Sequence, residues 1–287
     1  MKDKGIIKKI VLLLICVALI VTGIAVKSYK KAMKTPVFTV QSVSSILFEN
    51  SEKLKLIAHR GARAMHPENT VPAFRSAGDA GYWGAECDIY RTSDGVWVVS
   101  HDKNIKRMMD GKCDIEKSTY DELLKYNVDN GSNALNYTDL KIATLDEYLD
   151  ICSEFKMTAV IELKSENNTE HYKEITDAVA KRKLNVIYIS FVENNLKEMR
   201  KLDSKAPMFY LAGKISDGAI ETAKRIENCG LEFNAGEKSN FKSDGKAIKS
   251  IKAAGIEAAC WGANDLETVK TLAGYEVYYV TTDCVTY

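Results

Sequence analysis

Glu86 and Asp88 stand two positions apart inside the apolar run Ala85 to Tyr90. On an extended strand this spacing points both carboxylates to one face and Cys87 to the other. Two acids at a buried strand end repel each other unless something positive lies between them. Val160-Ile161-Glu162-Leu163-Lys164 repeats the arrangement with an acid and a base. An ion pair between neighbouring strands is the plain use of Glu162 and Lys164. Three carboxylates from adjacent strands would instead make an all-oxygen site of the kind that suits Mg²⁺ or Ca²⁺ rather than zinc. A further apolar run, Leu54 to Ala58, ends on His59 and Arg60, turns on Gly61 and restarts after Pro67 in a helix-like pattern. It reads as a buried strand that delivers two polar side chains to its C-terminal end, which is where ligands bind in α/β proteins.

The elements that must position these residues follow from the alternation of apolar runs and helical periodicity. Runs at 54–59, 85–90, 96–100, 158–163, 186–190, 208–212, 231–235, 258–261 and 277–281 are mostly separated by segments with apolar positions three and four apart, such as 170–182, 193–202, 219–226 and 266–272. This pattern implies right-handed βαβ units and a parallel sheet. Only Arg91 to Gly95 separates the second run from the third, too little for a crossover helix, and Ser93-Asp94-Gly95 has hairpin chemistry. The third run is therefore an antiparallel return arm, and eight parallel strands remain, as in a (β/α)₈ barrel. A two- or four-residue turn would place His101 across from Glu86 or Asp88 and on their face.

The chain divides by composition. Residues 1–34 carry eight lysines against Asp3 and contain a charge-free run of 17 residues from Ile10 to Val26. At 1.5 Å per residue this makes about 25 Å of helix, near the lower limit for a membrane span. We read 1–34 as a transmembrane anchor with basic flanks and expect the catalytic body outside the cytoplasm, or secreted if Gly23-Ile24-Ala25 is a cleavage site. Residues 35–53 are a tether and 54–287 the barrel. Beyond residue 34 the charge is −6, so the body is no nucleic-acid binder by its overall field. Apart from Cys16, six scattered cysteines with no metal spacing read as buried thiols.

Taken in order, His59-Arg60-Gly61, Pro67-Glu68-Asn69-Thr70, Glu86-x-Asp88, Thr92-Ser93-Asp94-Gly95, His101-Asp102, Glu162-x-Lys164, Ser190-Phe191, Trp261-Gly262-x-Asn264 and Thr281-Thr282-Asp283 resemble the glycerophosphodiester phosphodiesterase family. The likeness covers roughly Leu54 to Tyr287, with 27 residues from His59 to Glu86 and 15 from Glu86 to His101. It implies a TIM barrel that splits a phosphodiester into an alcohol and glycerol 3-phosphate with a divalent metal, Mg²⁺ or Ca²⁺. It also implies Glu86, Asp88 and Glu162 as metal ligands and His59 and His101 as general acid and base. Such roles suit imidazole, whose unperturbed pKa lies near neutrality. Arg60 and Lys164 would neutralise the phosphoryl oxygens, and Glu68 would orient them. Asn69 or Thr70 would cap the next helix, and Phe191 and Trp261 would line the mouth. His66 reads as a loop residue and His171 as a solvated helix position. The resemblance also implies a variable excursion over the site at 103–143, and departures from the family pattern at Met108-Met109 and Ala143-Thr144 bear on the choice of substrate. The implied partner is a small-molecule or lipid-derived phosphodiester. A lysophospholipase D-type activity, a phosphoinositide phospholipase C-like activity and a non-catalytic membrane-tethered binding domain are the alternatives. Oligomeric state is not legible.

Overall fold

A computed structural model describes residues 36–45, 50–236 and 245–287. The expected anchor within 1–34 lies outside these residues. Among the described residues, no helix is long and apolar enough to cross a membrane.

Eight parallel strands close into a barrel. In chain order the strands are β1 (Gln41–Ser42), β2 (Lys55–Ala58), β3 (Gly84–Arg91), β4 (Trp97–Val99), β5 (Thr158–Leu163), β6 (Val186–Ser190), β7 (Met208–Ala212), β8 (Cys229–Asn234), β9 (Ala258–Trp261), β10 (Tyr279–Thr282) and β11 (Val285–Thr286). The barrel runs β2-β10-β9-β8-β7-β6-β5-β3 and closes through β2 against β3, while β4 hangs antiparallel on β3. Alternation on each strand separates two apolar layers. Ala85, Cys87 and Ile89 of β3 point out to the helices, whereas Ile57, Val160, Ile187, Ile189, Phe209, Leu211 and Ala259 fill the lumen. Glu86, Asp88 and Glu162 are on the lumen side of their strands and, at 2%, 0% and 8% exposure, are as buried as the core around them.

Helices cover the outside where the sequence shows 3.6-residue periodicity. Glu193–Leu202 matches the expected span, and Tyr172–Arg182, Asp217–Lys224 and Leu266–Gly274 shift by a turn or less. Leu145–Phe155 starts from a capping box between Thr144 and Glu147, and its Tyr148 is fully buried. The Tyr148 hydroxyl donates to Ala85 O (2.7 Å) and accepts from Val160 N (2.9 Å). One side chain thus fixes the two strands that carry the three acids.

The hairpin register differs from expectation. Ile89 pairs with Val99 and Arg91 with Trp97, around a three-residue turn of Ser93, Asp94 and Gly95. This parity sets Ser100, not His101, opposite Asp88. Regular pairing stops at Val99, and the chain bends, which frees His101 from the alternation. The excursion that follows is built of short turns around its own core, where Ile105, Met109, Ile115, Leu123, Val128 and Ile142 pack on Tyr90 and Val98. Within the tether, β1 pairs in parallel with β11 at the C-terminal end of the barrel. The six cysteines among the described residues are free thiols, and all but Cys113 are buried.

Candidate active site

Each side chain reaches the C-terminal end of the barrel by an identifiable local device. His59 continues β2, its N–H donating to Thr282 O across the closing seam. Arg60 then takes a left-handed conformation (φ 57°), which turns its N–H onto Glu86 Oε2 at 2.8 Å. A non-glycine residue there is costly and is kept where surrounding contacts over-determine it. Gly61 must be glycine: a Cβ would lie 2.7 Å from the carbonyl carbon of Ala73, at φ +75°. Asn69 is also left-handed (φ 58°).

Ligand oxygens of Glu86, Asp88 and Glu162 lie within 4.8 Å of one another, and theirs is the sole such cluster among the described residues. Their charges are partly met by protein. Lys164 Nζ lies 2.8 Å from Glu162 Oε1 and 3.3 Å from Asp88 Oδ1, and Arg60 Nε lies 3.4 Å from Asp88 Oδ2. Burial pushes the Asp88 carboxyl up, but Arg60 and Lys164 outweigh it and hold it below the usual carboxylate range. Glu86 and Glu162 go the other way, raised by burial and by the neighbouring carboxylate of Asp88. Two acids that resist ionisation beside a third that is ionised make a site short of positive charge. That donor set and deficit fit a hard divalent cation.

Two imidazoles flank the acids, each with an aspartate on Nδ1. His59 Nδ1 is 2.7 Å from Asp283 Oδ1, and His101 Nδ1 is 2.8 Å from Asp102 Oδ1. Asp283 is itself fixed by Asn264, whose Nδ2 donates to its Oδ2 and whose Oδ1 accepts from its N–H, and by Arg63. Burial and the Arg60 charge lower the His59 pKa, against Asp283. Glu68 is a hub for three guanidinium groups, Arg60, Arg63 and Arg107. Despite burial, these cations lower its pKa to about 2.

A cavity of about 170 Å³ joins the parts, lined by His59, Arg60, Glu86, His101, Glu162 and, further along, Phe191, Glu232, Trp261 and Thr281. Phe191 and Trp261 meet edge to face at 6.3 Å. Every residue expected at the site from the sequence therefore lies around one cavity or holds a residue that does. Other expectations are corrected. Neither Asn69 nor Thr70 caps by its side chain: Asn69 Nδ2 donates to Asp88 Oδ2 (2.8 Å) and Thr70 Oγ1 to Pro67 O. Met108 and Met109 line a smaller cavity with His101, Asp102 and Glu68, whereas Ala143 is buried beneath the helices. His66 is a loop residue as expected, bonded to Tyr137 of the excursion, and His171 stands part-exposed at the start of a helix, paired with Glu174. Sequence reasoning missed Asp283, Asn264 and Arg63 around His59, Arg107, and Glu232. Thr281-Thr282-Asp283 and Trp261-Gly262-x-Asn264 were visible as motifs, but only barrel closure shows which histidine they serve.

Comparison with known proteins agrees with this geometry. Human glycerophosphodiester phosphodiesterase 1 is 31% identical over 160 residues, covering 53% of this chain and 47% of its own, so the chain spans about half of that relative. A glycerophosphodiester phosphodiesterase of Bacillus subtilis is 26% identical over 247 residues, covering 78% and 82%. The structure of an Oleispira antarctica phosphodiesterase in complex with its product sn-glycerol-3-phosphate superposes with a TM-score of 0.71 at 26% identity, covering 85% of this chain and 96% of that one. A glycerophosphodiester phosphodiesterase from Parabacteroides distasonis gives 0.65 at 28% identity, covering 80% and 93%. Since residues 59–286, from the first histidine of the cavity almost to the C-terminus, match the glycerophosphoryl diester phosphodiesterase family, the chain belongs to that family.

Proposed function

We propose that the protein hydrolyses glycerophosphodiesters to glycerol 3-phosphate and an alcohol. The observation that carries this reading is the convergence of three buried carboxylates and two aspartate-paired imidazoles on one cavity. Glu86, Asp88 and Glu162 would hold a divalent cation, Mg²⁺ or Ca²⁺, which when bound supplies charge to neutralise the phosphoryl oxygens. Arg60 and Lys164 add fixed cations on the same side. His59 is neutral at pH 7 because burial and Arg60 lower its pKa. It is the base, taking the proton of the attacking water or hydroxyl as the new P–O bond forms. His101 is the acid and gives its proton to the alcohol oxygen as the old P–O bond breaks. Asp283 and Asp102 hold the Nδ1 protons and so present the Nε2 atoms to the reaction. Phe191 and Trp261 wall one side of the cavity, and its His101 side stays open to solvent.

Attachment to a membrane through Ile10–Val26, with the barrel outside the cytoplasm, is part of the same proposal. Support comes from the charge-free run between lysines, and the described start of the chain gives the direction of approach. Pro36, Val37 and Phe38 run beside Ala64 and residues 131–136, and Phe38 lies under Arg63, so the tether arrives at the face where the cavity opens. The test is release of choline from glycerophosphocholine by chelator-stripped protein with and without Mg²⁺ or Ca²⁺. Turnover that returns with either ion is expected. Binding without turnover at saturating metal would instead make this a tethered binding domain.

A further inference from the structure

Glu232 is an acid that neither the metal cradle nor the histidine pairs use. It is 3% exposed, on the lumen side of β8, level with Leu211 on β7 and Ala259 on β9. Its carboxyl has one hydrogen bond among the described residues, accepted from Thr281 Oγ1 at 3.0 Å. Thr281 belongs to β10, so this bond passes over β9, and the lone methyl of Ala259 is what leaves room for it. One layer above, level with Thr281, sits Trp261, whose indole Nε1 is buried and has no hydrogen-bond partner among the described residues. Burial pushes the Glu232 carboxyl up to about 7, against the hydrogen bond from Thr281. A leucine here would pack on Ile189 and Leu211 without that cost, so the fold does not ask for the acid. Under-satisfied buried polar groups facing a shared cavity call for a ligand that completes them.

The position in the cavity says which part of a ligand. Glu232 and Thr281 (1% exposed) form its deep end, while Phe191, 47% exposed, stands at the mouth. The whole cavity is about 170 Å³, so its deep end takes a three-carbon polyol and no acyl chain. The variable alcohol must then leave past Phe191. A donor at Trp261, a hydroxyl at Thr281 and a carboxyl at Glu232 complement adjacent hydroxyls, each of which both donates and accepts.

We propose that Glu232, with Thr281 and the Trp261 indole N–H, binds the glycerol hydroxyls of the substrate and so selects glycerol-bearing phosphodiesters. This rests on the glycerophosphodiester reading above. The test compares the full-length wild type with Glu232→Leu and Glu232→Gln. Its measurements are kcat and KM on glycerophosphocholine, on glycerophosphoglycerol and on bis(p-nitrophenyl) phosphate, which has no glycerol, together with Tm. Glu232→Leu should lower kcat/KM on both glycerol substrates by roughly 10- to 100-fold relative to the aryl diester, mostly through KM, the range set by losing a hydrogen bond to a buried polar group. Its Tm should match or exceed wild type, and Glu232→Gln should keep part of the affinity. Equal losses on all three diesters would mean a structural role, and loss confined to the choline substrate would mean a site for a cationic alcohol; either overturns the proposal. Wild-type activity on the glycerol substrates that survives Glu232→Leu overturns it while sparing the broader function. A wild type that splits only the aryl diester overturns both.

Discussion

His59 and His101 face the same cavity and are held by opposite means. His59 grows out of a barrel strand; its side chain is 14% exposed, and the aspartate on its Nδ1 comes from 224 residues away, already clamped by Asn264 and Arg63. His101 lies just past the end of β4, is 35% exposed and borrows the very next residue, Asp102. Asp102 is steadied in turn by Arg107 of the excursion, which also reaches Glu68. One imidazole inherits the rigidity of a closed sheet; the other inherits the position of a loop domain with its own small core. On the proposed mechanism, a preorganised base would thus coexist with an acid able to adjust as different alcohols depart.

Replacing either histidine by alanine should give the largest effect, a loss of roughly 10²- to 10⁴-fold in kcat, the usual worth of a positioned acid or base. The comparison is sharpened by chemical rescue. Millimolar imidazole should restore part of the rate to His101→Ala, whose site is open to solvent, and little to His59→Ala. Rescue of both to the same degree would break the contrast in burial.

The aspartates come next. Asp283→Asn should lower kcat/KM by about 10²-fold and Asp102→Asn by about 10-fold, both less than removing a base outright. The pH profile carries the sign. Asp283 is among the groups that raise the His59 pKa against burial and Arg60. Removing its charge lets that pKa fall further, so the acid limb of kcat/KM should move to lower pH in Asp283→Asn. A limb that moves up, or a larger loss in Asp102→Asn, would assign the buried dyad a different task.

The same contrast marks what the sequence could tell. Glu86, Asp88 and Glu162 were legible because alternation on a strand is a local rule, whereas Asp102 beside His101 stood out only as part of a motif. Asp283 was visible only as part of a terminal motif, since its pairing with His59 exists only once β10 meets β2. The hairpin parity misled for a related reason: the loop is three residues long, and His101 escapes the alternation that was used to aim it. Asn69 looked like a helix cap, because Asn before a helical pattern usually is one. Its left-handed backbone instead sends the side chain to Asp88. Glu232 left no signal, as one acid in an apolar run has no periodicity to violate.

The smallest predicted effect tests the link between the two regions. Arg107 is 41% exposed and binds Asp102 and Glu68, whereas Arg63, 16% exposed, binds Glu68 and Asp283 on the barrel side. Because exposed ion pairs contribute about 1 kcal/mol or less, Arg107→Ala should leave global stability nearly unchanged and cost kcat/KM only a few-fold. Glu68 would still be ionised at neutral pH, with Arg60 and Arg63 in place. What should change is local: hydrogen exchange should quicken at 103–143 while the amides of β2 and β10 keep their protection. Arg63→Ala should instead move the acid limb of His59, because it sits on that dyad. If Arg107→Ala perturbs the His59 limb, or Arg63→Ala loosens the excursion, then the two histidines are mounted on one mechanical unit and the division between rigid base and adjustable acid fails.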